Sequence, residues 1–245
     1  MWALTVACVL VALWLGCREV DSRQAEEAGN RTSIPAARQR MIEEHLRSRG
    51  IRDPRILEAM ASVPREEFVL PSDRANAYAD HPLGIGEGQT ISQPYIVAYM
   101  TQLAEPESTD RALEVGTGSG YQAAVLSLLV DTVYTVEIIP TLTQRATRTL
   151  QRLGYGNVVA ATRDGYQGWR EHAPFDVIIV TAAPDRVPAP LVDQLAPGGH
   201  MVIPVGSFWQ ELVVITKRSD GSVVTERVAD VRFVPMTGEA ERLSR

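Results

Sequence analysis

The sequence predicts an α/β fold: a mostly parallel, twisted sheet with helices on both faces and an antiparallel pair at one edge. Three observations carry this. From Arg111 onward, short apolar runs alternate with segments of helical periodicity, and strands separated by helical crossovers pair in parallel. "FDVIIVTA" is apolar at nearly every position, as a strand covered on both faces must be. Finally, "ELVVITKR" and "SVVTERVADVRFVP" flank Asp220-Gly221, a turn signal that joins antiparallel strands.

The elements follow in order. In "PAARQRMIEEHLRSRGI", Ala37, Met41, Ile42, His45 and Leu46 share one helical face and Gly50 ends the run. A second helix starts with Asp53 as N-cap and Pro54 at the first helical position. Loop chemistry then extends to a helix over Pro94–Leu103. Strand "RALEV" precedes helix "YQAAVLSLLV", strand "TVYTVEI" precedes "TLTQRATRTLQRLG", and "NVVAAT" leads into the turn "RDGY". After the apolar run come a short helix in "PAPLVDQLA", a turn at Gly198-Gly199 and the strand "HMVIPV".

The 245 residues suffice for one full-sized domain with appendages, and the formal net charge of -6 argues against a general nucleic-acid binder. Both cysteines, Cys8 and Cys17, lie at the start of the chain, and His45, His81, His172 and His200 are scattered. No disulfide, thiolate nucleophile or metal site is therefore expected in the body. Residues 1–16 are apolar and uncharged, too short for a span of about 20 residues but suited to an export signal. Leu15-Gly16-Cys17 is similar to a bacterial lipoprotein cleavage site, although Trp14 is bulkier than usual there. The expected division is a signal over 1–17, a flexible tether over 18–34 and an enzyme domain over 35–245. That division points to a periplasmic or membrane-anchored location with a lipid on Cys17; the alternative is a protein whose true start lies near Met41.

Gly116-x-Gly118-x-Gly120 follows a strand and opens a helix. A dinucleotide fingerprint would place its third glycine where Tyr121 stands, and the Gly-Lys-Ser/Thr of a P-loop is absent. Glu137 closes the next strand, where an acid commonly accepts the hydroxyls of a ribose. A nucleoside without a diphosphate, such as S-adenosylmethionine, fits. Glu114, at the head of the loop, would favour its positive charge and repel a diphosphate. Asp164-Gly165 lies where a carboxylate can accept from an adenine amine.

On the acceptor side, Val180-Thr181-Ala182-Ala183-Pro184 offers one hydroxyl and no acid or amide to draw charge from an amine. An acceptor carboxylate, with a pKa of about 4, needs no such help; it needs positioning and desolvation. In "PLGIGEGQTISQPYIVAYM", Thr90 and Ser92 present hydroxyls just before a helix. Ser92 could cap that helix or face an anionic ligand at its start.

From Met41 to Pro235 the chain closely resembles the protein-L-isoaspartate O-methyltransferase family. "VPREEFV", "AYADHPLGIGEGQTISQPYIVAYMTQL", "LEVGTGSGYQAAVLS", "DGYQGW", "LAPGGHMVIPVG" and "VRFVP" carry the resemblance, "GQTISQP" most specifically. It implies a Rossmann-like class I methyltransferase fold, S-adenosylmethionine as donor, and the free carboxylate of isoaspartyl residues in damaged proteins and peptides as acceptor. It places Ser92 at that carboxylate, with Thr90, Ile91 and Gln93 along the peptide. Glu114, Gly116, Thr117, Gly118, Ser119, Gly120, Glu137, Asp164 and Gly165 would line the cofactor site. Thr181, Ala182, Val234 and Pro235 would border the substrate backbone. The family usually has proline where this chain has Gly84, its domain is usually cytoplasmic, and a monomer is expected. Two rivals keep the same cofactor residues: a methyltransferase for another carboxylate, and an anchored binding protein without turnover.

Overall fold

The computed structural model describes residues 33–243. The expected signal and all but the last two residues of the expected tether lie outside the described residues. Helix α1, Ile34–Arg40, is capped by the Ser33 hydroxyl and runs into a π-turn over Met41–Leu46. Gly50, in the left-handed region at φ 93°, stops the run, a conformation that favours glycine. Helix α2, Pro54–Ser62, has the expected Asp53 cap on the Arg55 amide.

The central sheet has seven strands: β3 (Arg111–Val115), β4 (Thr132–Glu137), β5 (Val158–Thr162), β6 (Phe175–Val180), β7 (Leu195–Val205), β8 (Gln210–Lys217) and β9 (Val223–Val231). Their order is β5-β4-β3-β6-β7-β8-β9. Pairing is parallel from β5 to β7 and antiparallel for β7–β8 and β8–β9. The parallel core and antiparallel edge match the sequence reading.

Alternation along the strands divides two hydrophobic clusters. Ala112, Val133, Val177, Ile179 and Val202 point to one face. There the π-turn after α1, together with α2, α3 (Pro94–Leu103), α4 (Tyr121–Ser127) and α5 (Pro140–Arg152), contributes Met41, Met60, Met100, Leu126 and Leu150. Leu113, Val115, Val136, Ile178 and Met201 point to the other face, towards α6 (Ala189–Gln194) and α7 (Glu239–Leu243). Both faces of β6 are thus covered, which is why its sequence reads as a nearly continuous apolar run; β5, at the sheet's edge, has no buried residue.

Two features differ from expectation. Gly198-Gly199 is not a turn before β7 but a bulge within it: Phe175 pairs with Leu195 while Val177 already pairs with His200. Gly198 has φ 89°, and a Cβ on Gly199 would press on the Asp176 carbonyl, so two glycines let the strand kink without leaving the sheet. The stretch before α3 also holds an unforeseen antiparallel hairpin, β1 (Leu83–Gly86) with β2 (Gln89–Ile91). Glu87 and Gly88 form its tip at φ 55° and 69°, the two positive φ values of a tight hairpin turn. Leu83, Ile85 and Ile91 are buried beneath it. Thr141 donates to Glu87 and Arg145 to the Ile85 carbonyl, fixing the hairpin over the start of α5.

Candidate active site

The chain order reverses between β3 and β6: β3 leads outward to β4 and β5, and β6 begins the other half. In open α/β sheets, ligands bind beyond the carboxyl ends of the strands at such a switch point. An open cleft lies there, with about 580 Å³ of empty space counting its mouth, lined by residues that follow β3, β4, β5 and β6 together with the β1–β2 hairpin and the segment after β9. Gly116, Gly118, Glu137, Gly165, Thr90, Thr181, Ala182, Val234 and Pro235 all line it. Nine residues singled out from distant parts of the sequence thus meet in one cavity.

The glycine loop is shaped by backbone bonds. Gly116 N–H and Thr117 N–H both donate to the Val136 carbonyl, at 2.8 and 3.2 Å, and Gly120 N–H donates to the Thr117 carbonyl at 2.7 Å. Gly116, Gly118 and Gly120 have φ values of 99°, 52° and 89°. A Cβ on Gly116 would overlap Thr181 Oγ1, and one on Gly165 would overlap Val115 Cγ1. The Thr181 hydroxyl itself donates to the Gly116 carbonyl at 2.7 Å. Glu137 is nearly buried; its Oε2 accepts from Gly118 N–H and its Oε1 from Ile139 N–H, each at 2.9 Å. It is the one charged side chain among the described residues that line the cavity, where no lysine or arginine stands. That lining suits a nucleoside carrying positive charge and disfavours a diphosphate.

Facing the loop, Ala183 N–H donates to the Val234 carbonyl and Met236 N–H to the Ala183 carbonyl, both at 2.8 Å. These bonds seat Val234 and Pro235 beside Thr181 and Ala182. Thr90 reaches the cavity from β2. Ser92, two residues further along, is half-buried at the foot of α3. It does not cap that helix, because the capping position falls on Gln93, which makes no side-chain cap bond. Asp80 does the work instead: its Oδ1 accepts from Tyr95 N–H at 3.2 Å and its Oδ2 from Gln93 Nε2 at 2.7 Å.

Three comparisons bear on this site. The family model for protein-L-isoaspartate(D-aspartate) O-methyltransferase matches residues 36–241. The chain belongs to this family. A protein-L-isoaspartate O-methyltransferase of Gloeobacter violaceus is 53% identical over 201 residues, covering 81% of this chain and 98% of that protein. One of Geobacter metallireducens is 55% identical over 204 residues, with 83% and 94% covered. A solved protein-L-isoaspartate O-methyltransferase superposes with a TM-score of 0.75 at 31% identity, over 83% of this chain and 67% of that one. A Plasmodium falciparum structure described as the same enzyme in complex with S-adenosyl-L-homocysteine gives 0.70 at 28% identity, over 80% and 96%. The Rossmann-like methyltransferase fold is thereby established, and the chain is an O-methyltransferase.

Several expected site residues support the cavity from behind. Glu114 stands back from the cavity wall. It is wholly buried, does not line the cavity, and its carboxyl accepts from Thr135 Oγ1. Thr117 Oγ1 lies 2.6 Å from the same Thr135 hydroxyl, so Thr117 too is turned inward. Burial pushes the Glu114 carboxyl up to about 8, with Glu137 adding to the rise. At neutral pH it is mostly protonated, so it presents no full charge to a ligand. Through Thr135 it ties the end of β3 to β4. Ser119 accepts from Tyr121 N–H, and Gly120 lets α5 approach closely, since a Cβ there would stand 3.2 Å from Leu150. Asp164 accepts from the Tyr166 amide at 3.1 Å and the Glu239 amide at 2.8 Å. Ile91 is buried under the hairpin.

The sequence reading missed Gln89, Ile138, Met236 and Thr237 in the cavity wall. It also missed Arg65, which is fully buried, donates to the carbonyls of Ala77 at 2.7 Å and Ser92 at 2.6 Å, and lies over the Tyr121 ring at 4.6 Å. Only the "VPREEFV" stretch hinted at it. Burial pushes this guanidinium down from its ordinary value, yet an arginine stays charged. Arg65 links the residue that opens α4 to the backbone of Ser92.

Proposed function

We propose that the chain methylates the free carboxylate of L-isoaspartyl residues in damaged proteins and peptides, using S-adenosylmethionine held in the switch-point cavity. The observation that carries this reading is a switch-point cleft where Gly116 and Gly165 leave no room for a Cβ and where Glu137 is the one charged lining group among the described residues. Gly116 and Gly118 admit close backbone approach, Glu137 accepts from the ribose hydroxyls, and Asp164-Gly165 borders the adenine. When bound, the sulfonium supplies an electrophilic methyl: a carboxylate oxygen forms the C–O bond as the C–S bond breaks and its electron pair returns to sulfur.

The chain supplies position and dryness. Thr90 and Ser92 orient the acceptor carboxylate, while Thr181, Ala182, Val234 and Pro235 flank the peptide backbone and exclude water. No general base is required, because the acceptor is already ionised. Arg65 holds the Ser92 carbonyl and keeps the serine in place.

The test is transfer of labelled methyl from S-adenosylmethionine to two peptides that differ only in isoaspartate or aspartate at one position. Base-labile label is expected on the isoaspartyl peptide alone; label on neither peptide, with cofactor still bound, sinks the assignment. Ser92→Ala is expected to lower kcat/KM for the isoaspartyl peptide about 10- to 100-fold, the scale of one or two lost polar contacts to a charged group. Its affinity for S-adenosylmethionine should stay within about two-fold of the unsubstituted chain.

We also propose that the enzyme is a monomer, exported and lipid-anchored through Cys17. The uncharged run of residues 1–16 ahead of that cysteine supports anchoring. Membrane-fractionated Cys17→Ala chain should move to the soluble fraction and lose incorporated fatty-acid label. Equal partitioning of the two chains would defeat the anchor.

A further inference from the structure

We propose that Phe208 and Trp209, at the tip of the β7–β8 hairpin, grip apolar side chains that flank the isoaspartyl residue in an extended substrate polypeptide. This rests on the reading above that the acceptor lies between Thr90, Ala182 and Pro235. Phe208 is 88% exposed and Trp209 83%, whereas the other exposed large apolar residues of the described chain lie between 37 and 49%. Partial exposure of single apolar residues is ordinary; two adjacent bare aromatics are a patch. Their rings meet edge to face at 5.7 Å, so the patch is preformed and little is lost in ordering it.

The loop that carries them is built. Gly206 has φ 123°, and a Cβ on it would overlap the Trp209 carbonyl. Gly206 N–H donates to the Pro184 carbonyl at 2.9 Å. Gln210 donates to the Phe233 carbonyl at 3.1 Å and accepts from Phe233 N–H at 2.6 Å. Pro184 and Phe233 are chain neighbours of the Ala182 and Val234 walls, so the tip is bonded to both sides of the cavity mouth. By the Cα path through Gly206 and Pro184, Phe208 lies at most roughly 20 Å from Ala182. An extended chain covers that span in about six residues.

A polypeptide that threads its backbone into this cavity has given up its own secondary structure, and its neighbouring apolar side chains are left uncovered. Gly206-Ser207-Phe208-Trp209 carries no charge and selects for apolar surface. A bilayer is the poorer partner: interfacial elements pair aromatics with basic residues. Here Glu211, two residues past Trp209, pairs with Arg227 at 3.2 Å, and Arg186 donates to the Leu243 carbonyl, so both arginines are already engaged.

The experiment compares the full chain with Phe208→Ser/Trp209→Ser on isoaspartyl peptides of one length. One set has leucine or phenylalanine within six positions of the isoaspartate, the other serine. The unsubstituted chain should show a KM about ten-fold lower for the apolar set, the scale of one interface aromatic. The double variant should lose that preference while keeping kcat and S-adenosylmethionine affinity. Equal KM values for both sets in the unsubstituted chain, or a preference that survives the double substitution, overturns the proposal. Methylation of neither set by the unsubstituted chain removes the acceptor reading on which it rests, and the proposal falls with it. Loss of binding to phosphatidylcholine–phosphatidylglycerol vesicles, with the peptide preference unchanged, would assign the hairpin to a bilayer instead.

Discussion

Glu137→Ala is expected to weaken S-adenosylmethionine binding by about 100-fold or more, read by titration calorimetry near pH 7.5. Each Glu137 oxygen already accepts one backbone amide, from Gly118 and from Ile139, and keeps a second lone-pair direction free. Hydrogen bonds to a charged group contribute about 1.5–3 kcal/mol each. Losing two ribose contacts therefore predicts at least about 3 kcal/mol, or over 100-fold. The alanine also frees the Gly118 amide, so the loop that must meet the ligand loses a tether. Glu137→Gln keeps one acceptor oxygen and should fall between the two. A thermal scan separates this effect from unfolding, and binding within three-fold of the unsubstituted chain in a folded Glu137→Ala protein would disprove the ribose role.

Glu137 was legible from the sequence because its cue is local: an acid at the end of the strand after a glycine loop. The same holds for β6, whose nearly continuous apolar run marks a strand covered on both faces. The β1–β2 hairpin was missed although Leu83, Ile85 and Ile91 already alternate around Glu87-Gly88. Three glycines in seven residues masked that short signal as loop. The cap on α3 could not be read at all, since Asp80 lies 15 residues before the Tyr95 amide it accepts from, and no spacing rule links them. Arg65 was invisible as a buried residue for a related reason. An arginine is expected at the surface, and only the fold brings the Ala77 and Ser92 carbonyls to it.

Glu114 shows where local chemistry misleads, because an acid heading a glycine loop looks poised for a cation while β4 and α4 close over it. Its consequence is a pH dependence of stability. The folded-state pKa is raised to about 8 from an ordinary 4.5. Between those values the unfolded chain releases this proton and the folded chain keeps it. Unfolding is then favoured as pH rises. Glu114 therefore costs stability progressively from about pH 4.5 to about pH 8 and nothing further above it, by at most a few kcal/mol at about 1.4 kcal/mol per pH unit. Carboxylates lowered by partners, such as Asp53 with Arg55, act in the opposite sense and at more acid pH, so they do not offset this fall. Glu114→Gln removes the titration while keeping an oxygen for Thr135. Its stability at pH 5 can lie below that of the unsubstituted chain, since the amide hydrogens would take the place of Oε1, which lacks a partner. The informative quantity is the change with pH. Urea unfolding at half-unit steps from pH 5 to pH 8 should show the variant gaining on the unsubstituted chain by a few kcal/mol. A constant difference across that range would mean that Glu114 is ionised in the folded protein, and would restore its charge to the cofactor loop.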